Sequence, residues 1–208
     1  MAPCCKCSAA TGTEPQRTMG VESRTRTVWL LLIAVFIDLV GVALVVPNLI
    51  FRWKEVGISP AGLGLVASIY SGAQLVGRLV IGHLGDRLLG RKNVFLLSLA
   101  GAGLSYALVG IAEHVWVLVL SRILVGLVKQ TMTCSSALIT GLTTQDTRAQ
   151  AMGRLSSAST IAFMSGQSAG GVLSSRYGRR LPCFVASALF ALDFLMIALF
   201  LPRDKPAG

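Results

Sequence analysis

Residues 36–49 read FIDLVGVALVVPNL, and this stretch decides the fold class because it surrounds Asp38 with apolar side chains for a helical turn or two. The apolar run begins at Val28 and continues to about Leu49. A run of about 20 apolar residues is long enough to cross roughly 30 Å of hydrocarbon. The stretch therefore predicts a transmembrane helix that carries a carboxylate.

The composition of the whole chain indicates a membrane protein. Its 208 residues are 53% hydrophobic and 13% charged, with a mean hydropathy of +0.70, which lies outside the range of ordinary soluble domains. We predict an all-α fold of six transmembrane helices in one bundle at residues 28–201, after a cytosolic disordered tail at residues 1–27. The predicted spans are residues 28–49, 60–82, 93–112, 115–138, 151–173 and 181–201.

The distribution of Lys and Arg predicts the orientation. The first 27 residues hold no apolar core followed by a small-residue cleavage site, so we expect no cleaved signal. Eleven basic residues flank the spans on the side of the termini and five flank them on the other side, which places both termini in the cytosol. The net charge of +10 follows from the same rule and suits an anionic cytosolic leaflet, so we expect no nucleic-acid partner.

Asp38 is the first candidate functional residue. It lies about ten residues into the predicted helix, close to the midplane of the bilayer. An ionisable group at that depth is costly and usually faces a bundle interior or a watery cavity. Position alone leaves two interpretations open, a proton-binding group on an ion or substrate path and a permanent structural ion pair between helices.

Span four carries a polar stripe. Arg122, Lys129 and Ser136 recur every seven residues, and Thr133 lies one turn from Lys129. Two cations on one face require a wet cavity or an anionic partner, and Asp38 is the candidate partner. Lys129 has a second interpretation, in which its ammonium group extends toward the cytosol. The candidate proton- and substrate-binding residues are Asp38, Arg122, Lys129 and Gln130.

A spaced pattern around Asp38 carries a family resemblance. Asp38, Gly41, Leu44 and Pro47 form D-x-x-G-x-x-L-x-x-P. This pattern resembles the first helix of the proton-coupled drug antiporters of the major facilitator superfamily, the branch that includes bacterial tetracycline exporters. The resemblance implies the proton as coupling ion. The sequence holds no nucleophile and base pair, metal-ligand spacing or phosphate loop, so we expect neither an enzyme nor a metal or cofactor.

The segment GHLGDRLLGRK, residues 82–92, resembles a second pattern of the superfamily, G-x-L-x-D-R-x-G-R-[RK], with one extra residue. The resemblance implies a loop whose charges break and remake contacts during a conformational change. The alternative is a plain basic loop that only sets orientation. The residues assigned to this signature loop are Gly82, Asp86, Arg87, Gly90, Arg91 and Lys92.

Two further patterns resemble the same family. Arg122 and Gly126 match R-x-x-x-G in span four, and residues 166–171 match G-P-x-x-G-G in span five with Gln167 in place of the proline. Asp193 occupies a place in span six where the family has a small polar residue, so we expect a structural hydrogen bond rather than a transport role. The residues expected to support helix packing are Gly41, Pro47, Gly126, Gly166, Gly170 and Gly171.

The resemblance covers about residues 28–205 and implies one half of a major-facilitator fold, built from two inverted three-helix repeats. Residues 202–208 would begin the cytosolic linker to a second half. The chain also resembles solute carrier family 22, in its organic-cation-transporter-like outlying branch, which implies organic cations or lipophilic drugs as substrates. Two functions stay open: the amino-terminal half of a proton-coupled exporter, most simply in the plasma membrane, or a non-transporting truncated form that pairs with a second half or another copy of the chain.

Overall fold

A computed structural model describes residues 21–55, 57, 59–84, 90–112 and 114–201. Residues 1–20 and 202–208, which hold most of the predicted tail and the start of the predicted linker, lie outside the described part. The described residues form seven α-helices and no strand. These are α1 (Val21–Glu55), α2 (Pro60–Leu84), α3 (Gly90–Ile111), α4 (Val115–Val128), α5 (Thr131–Leu142), α6 (Gln145–Tyr177) and α7 (Leu181–Phe200).

Five helical segments within the described residues are long and apolar enough to cross a membrane, and they correspond to five of the six predicted spans. The fifth predicted span is α6, whose 33 residues reach about 50 Å but include many small and hydroxyl residues. It packs along α1 and completes the six-span bundle. The apolar segments are Thr25–Phe51, Ala61–Val80, Lys92–Ile111, Val115–Leu142 and Leu181–Phe200.

Span four is not the continuous helix that the sequence predicted at residues 115–138. It consists of α4 and α5, which are separated at Lys129 and Gln130. The amide of Gln130 donates to the Ser98 hydroxyl of α3, at 2.9 Å, in place of a carbonyl one turn earlier in its own helix. A hydrogen bond from another helix therefore satisfies the backbone at the break, as a backbone group inside a membrane requires.

The packing of the helices repeats within the chain. The helix α1 packs on α6 as α4 packs on α2, and α1 packs on α7 as α4 packs on α3, while α3 and α7 pack on each other. Exchanging spans one to three with spans four to six therefore reproduces the main contacts. This is the pattern of two inverted three-helix repeats, which we predicted for one half of a major-facilitator fold.

Close glycine contacts occur at equivalent places in the two repeats. A Cβ added to Gly170 of α6 would overlap the carbonyl oxygen of Leu44 in α1, and one added to Gly77 of α2 would overlap that of Leu127 in α4. Glycine permits this approach because it has no side chain. A second pair of contacts is equivalent in the same way. A Cβ added to Gly166 would lie 2.6 Å from the Cβ of Ala43, and the corresponding contact in the other repeat is that of Ala73 with Gly126.

The remaining predicted packing residues lie in different surroundings. A Cβ on Gly41 would lie 3.2 Å from the Phe190 ring, so α7 approaches α1 closely there. Pro47 lies inside α1, and the side-chain amide of Asn48 donates to the Leu44 carbonyl at 3.3 Å. Gly171 faces open space, with no described atom within 4 Å of an added Cβ.

Candidate functional site

Asp38 and Lys129 form an ion pair between α1 and the break in span four. The Nζ of Lys129 donates to Oδ1 of Asp38 at 2.7 Å, and Asp38 is fully buried. The second carboxylate oxygen, Oδ2, has no hydrogen-bond partner among the described residues. The pair therefore leaves one acceptor of the buried carboxylate unused.

A chain of hydroxyl groups connects this ion pair to the helix break. The Thr131 hydroxyl lies 3.5 Å from Oδ1 of Asp38, and the Ser98 hydroxyl lies 3.1 Å from the Thr131 hydroxyl. Ser98 also accepts the amide hydrogen of Gln130 at 2.9 Å. The carboxylate and the opened backbone thus belong to one polar network, in which charges and hydroxyls support each other at low dielectric.

Arg122 does not take the role of ion-pair partner to Asp38 that the sequence left open. Its guanidinium group lies over the Tyr106 ring, 5.3 Å from the centroid, and its Nε and Nη2 have no hydrogen-bond partner in the described part of the chain. Tyr106 stacks on Phe190 with centroids 5.3 Å apart, and Lys129 lies 4.7 Å from the Phe190 centroid. Two stacked rings therefore separate the two cations, each of which gains a cation–π contact.

Gln130 faces α2 rather than the ion pair. Its Nε2 lies 3.5 Å from the backbone oxygen of Gln74, and Thr133 approaches its Oε1 at the same distance. The predicted stripe of span four is interrupted, because Lys129 lies at the break and Ser136 lies on α5 beyond it. The structure thus brings Asp38 and Lys129 together and leaves Gln130 buried among neighbouring polar groups of α2 and α5.

Asp193 differs from its sequence-based expectation. The carboxyl group is fully buried on α7, and neither oxygen has a hydrogen-bond partner among the described residues. The expected structural hydrogen bond is therefore wrong. The amino-acid pattern could not indicate this, because a carboxylate in an apolar helix looks the same whether or not a neighbour bonds to it.

The signature loop is described only in part. Gly82 lies in α2, and Gly90 and Arg91 begin α3, whereas Asp86 and Arg87 fall outside the described residues. Lys92 is buried, and its Nζ donates to the backbone oxygens of Ala198, at 2.9 Å, and Leu201. These carbonyls end α7, so the cation caps the negative end of that helix.

Sequence reasoning missed four residues that build this site. Tyr106, Thr131 and Phe190 contact the charged groups, and Ser98 is hydrogen-bonded to Thr131 and to the amide of Gln130. The stacked aromatic pair separates the two cations. A hydroxyl in an otherwise apolar span was the available signal for Ser98. The described residues contain no cluster of three or more His, Cys, Asp or Glu that could hold a metal ion.

A six-span helical bundle that buries an acid–base pair at a helix break defines a multi-pass membrane protein. Residues 31–208 match the Major Facilitator Superfamily, and the chain belongs to that family. Proteins of this family are transporters, which confirms the prediction that the chain is not an enzyme.

Similar proteins include two bacterial resistance proteins. The chain is 32% identical to the tetracycline resistance protein, class E, of Escherichia coli over 185 residues, covering 86% of this chain and 44% of that protein. It is 30% identical to multidrug resistance protein 2 of Bacillus subtilis (strain 168), covering 86% of this chain and 45% of that protein. The chain thus spans about half the length of the relatives it matches.

A solved structure supports the fold. The crystal structure of the human organic anion transporter MFSD10 (TETRAN) superposes with a TM-score of 0.72 at 23% identity, covering 86% of this chain and 48% of that chain. At this identity the similarity establishes the architecture alone. The resemblance to the major facilitator superfamily and to its drug exporters, predicted from the sequence, is confirmed.

Proposed function

We propose that this chain is the amino-terminal half of a proton-coupled transporter that exports organic cations or lipophilic drugs by antiport. The observation that carries the proposal is the buried ion pair between Asp38 and Lys129 at a helix break. Ionisable groups at such depth mark ion or substrate paths. The free oxygen of Asp38 can accept a proton, and the drug-resistance relatives support efflux as the direction.

The exposed faces of α2 and α6 support the proposal that a second six-helix half packs against this chain. Only 6% of the apolar segment of α2 is buried, and Gly64, Ser68 and Gly72 recur every four residues on its accessible side. The exposed residues of α6 include Thr160, Gln167 and other polar groups, which hydrocarbon solvates poorly. Small residues at this spacing allow helices to pack closely, so both helices suit protein or a wet cavity better than lipid.

The proposed orientation places both termini in the cytosol, with the plasma membrane as the site of export. Epitope tags at Met1 and Gly208 should then stain only after cells are permeabilised. Surface labelling of either tag in intact cells would contradict the orientation.

The transport proposal is tested in proteoliposomes with an imposed pH gradient and a fluorescent cationic dye. The 208-residue chain is compared with the longer product of its transcript, if the reading frame continues beyond Gly208. We expect proton-driven dye movement in the longer product and its loss in Asp38→Asn, because the amide cannot exchange a proton. Asp146→Asn is the matched control, since Asp146 is an exposed acid at the start of α6.

Three outcomes separate the possibilities. Loss of transport in Asp38→Asn with normal transport in Asp146→Asn supports proton coupling at Asp38. Normal transport in both variants would overturn it and leave Asp38 as a structural anchor. A transcript that ends after Gly208, with no dye movement by the 208-residue chain, would favour a non-transporting interaction protein.

A further inference from the structure

Asp193 is a buried acid that the proposed mechanism does not use. Its side chain is fully buried, and both carboxyl oxygens lack hydrogen-bond partners in the described part of the chain. An ionised carboxylate without a partner is costly away from water, whereas a neutral carboxyl group costs far less. A purely structural residue at this place would gain more from an apolar side chain, so the acid calls for a functional explanation.

The surroundings of Asp193 connect it to the ion pair. Phe190 lies one turn earlier on α7, and its ring contacts the ammonium group of Lys129 at 4.7 Å. The charged groups that act electrostatically on Asp193 are Asp38 from α1 and Lys129 from span four. The helix α3 contributes Tyr106, which stacks on Phe190 and carries Arg122 over its ring.

The third helix packed against α7 adds no charge to this group. The membrane part of α6 has no ionisable residue between Arg154 and Arg176. Lys129, which is bonded to Asp38, therefore also acts electrostatically on Asp193. Lys129 lies where α4 ends, so its backbone is not fixed by a following turn of the same helix.

We propose that Asp193 is a second proton-binding carboxyl group that shares Lys129 with Asp38. In the described state Asp38 is ionised and bonded to Lys129, and Asp193 holds a proton. When Asp38 takes up a proton, Lys129 crosses the Phe190 ring to Asp193, which then releases its proton. The three groups have the same total charge and one bound proton in both states, so the exchange separates no charge within the membrane.

This inference rests on the proposed proton binding by Asp38, and both can be examined without transport. Infrared difference spectra of the purified 208-residue chain report protonated carboxyl groups through their carbonyl stretching band. At neutral pH we expect one protonated buried carboxyl group in the unaltered chain. Asp193→Asn should remove that band, because Asp38 stays ionised beside Lys129.

Two further variants test the sharing of the cation. Asp38→Asn should also abolish the band, because Lys129 is then free to pair with ionised Asp193. Lys129→Gln should give two protonated groups, because neither acid retains a cationic partner. Asp146→Asn is the control and should leave the buried band unchanged, since that acid is exposed.

The outcomes distinguish the inference from the function on which it rests. An unchanged band in Asp193→Asn, or in Asp38→Asn, would overturn the sharing of Lys129. A Lys129→Gln spectrum with no added protonated group would instead show that Asp38 does not bind a proton, and the proposed coupling would fail. Thermal unfolding of Asp193→Leu provides the folding control: we expect no loss of stability, whereas a large loss would assign Asp193 a structural role.

Discussion

The first span of each repeat contains an irregular turn, and the two turns are stabilised differently. In α1, Pro47 removes a backbone donor, yet the helix continues to Glu55 and Asn48 bonds the carbonyl of Leu44 within the same helix. In span four the helix ends at Val128 and restarts at Thr131, and the free amide of Gln130 donates to Ser98 of α3. The irregular turn stays within one continuous helix in the first repeat, whereas a neighbouring helix bonds the break in the second.

This difference places the acid and the base on different kinds of backbone. Asp38 extends from an uninterrupted helix, whereas Lys129 lies where two helices meet. The positions that the repeat makes equivalent are Ser121 for Asp38 and Val46 for Lys129, so the charged groups are not themselves repeated. The backbone packing is symmetric and the chemistry is not, which supports Lys129 as the group proposed to change partners.

The largest expected effect comes from removing the base. Lys129→Ala should lower the free energy of unfolding by about 3 to 5 kcal/mol at neutral pH, because it leaves a buried carboxylate without its partner. Denaturation by SDS in mixed micelles measures this loss.

The double variant Asp38→Asn with Lys129→Ala sharpens this comparison. It should recover most of the lost stability, because no unpaired charge remains. A double variant as unstable as Lys129→Ala alone would mean that Lys129 stabilises the bundle by packing rather than by charge.

The symmetric part of the comparison is tested by the two tight glycines. Gly170→Ala and Gly77→Ala should each destabilise the chain by about 1 to 3 kcal/mol, because the new methyl group overlaps a backbone oxygen of the facing helix. Gly171→Ala is the matched control, and in open space it should be neutral or slightly stabilising. Unequal losses at Gly77 and Gly170 in thermal unfolding would show that the repeats differ energetically.

A smaller effect is expected at the break itself. Ser98→Ala should cost about 1 to 2 kcal/mol, because the amide of Gln130 loses its acceptor in a buried position. Hydrogen exchange at Gln130 and Thr131 should rise while that of α1 stays unchanged. Asn48→Ala is the counterpart in the first repeat, and equal exchange at both sites would contradict the distinction between local and interhelical support.

The smallest effect is expected at Arg122. Replacement by leucine removes a cation–π contact of about 0.5 to 2 kcal/mol but also removes buried guanidinium nitrogens without partners, so the net change should stay within about 1 kcal/mol. Unfolding in mixed micelles checks this value against Lys129→Ala. A loss as large as that of Lys129→Ala would show that both cations hold the carboxylate.

The sequence predicted the spans because a membrane crossing leaves a long apolar run, and it predicted Asp38 because a carboxylate interrupts one. It could not choose between Arg122 and Lys129, since both lie on one stripe of an unbroken helix. The choice depends on the break, and the break is hydrogen-bonded to Ser98, which is distant in sequence.

The orientation of Asp193 was equally hidden. Whether a buried acid finds a partner depends on which faces of α7 meet α1 and α3, and a single apolar segment gives no register for those contacts. The roles of Asp86 and Arg87 in the signature loop stay predictions, because both residues lie outside the described part of the chain. Lys92 of this loop donates to the carbonyls that end α7, and its part in a conformational network stays a prediction.

That last contact has a consequence for the synthesis of the chain. Lys92 reaches carbonyl groups that lie 106 and 109 residues later in the sequence. At about 5 to 20 residues per second, the ribosome takes about 5 to 20 seconds to make them after it has made Lys92. Lys92 must keep its charge at the aqueous boundary during that interval. Insertion of the sixth span then draws it inward, so the first repeat completes its packing only when the second has been made.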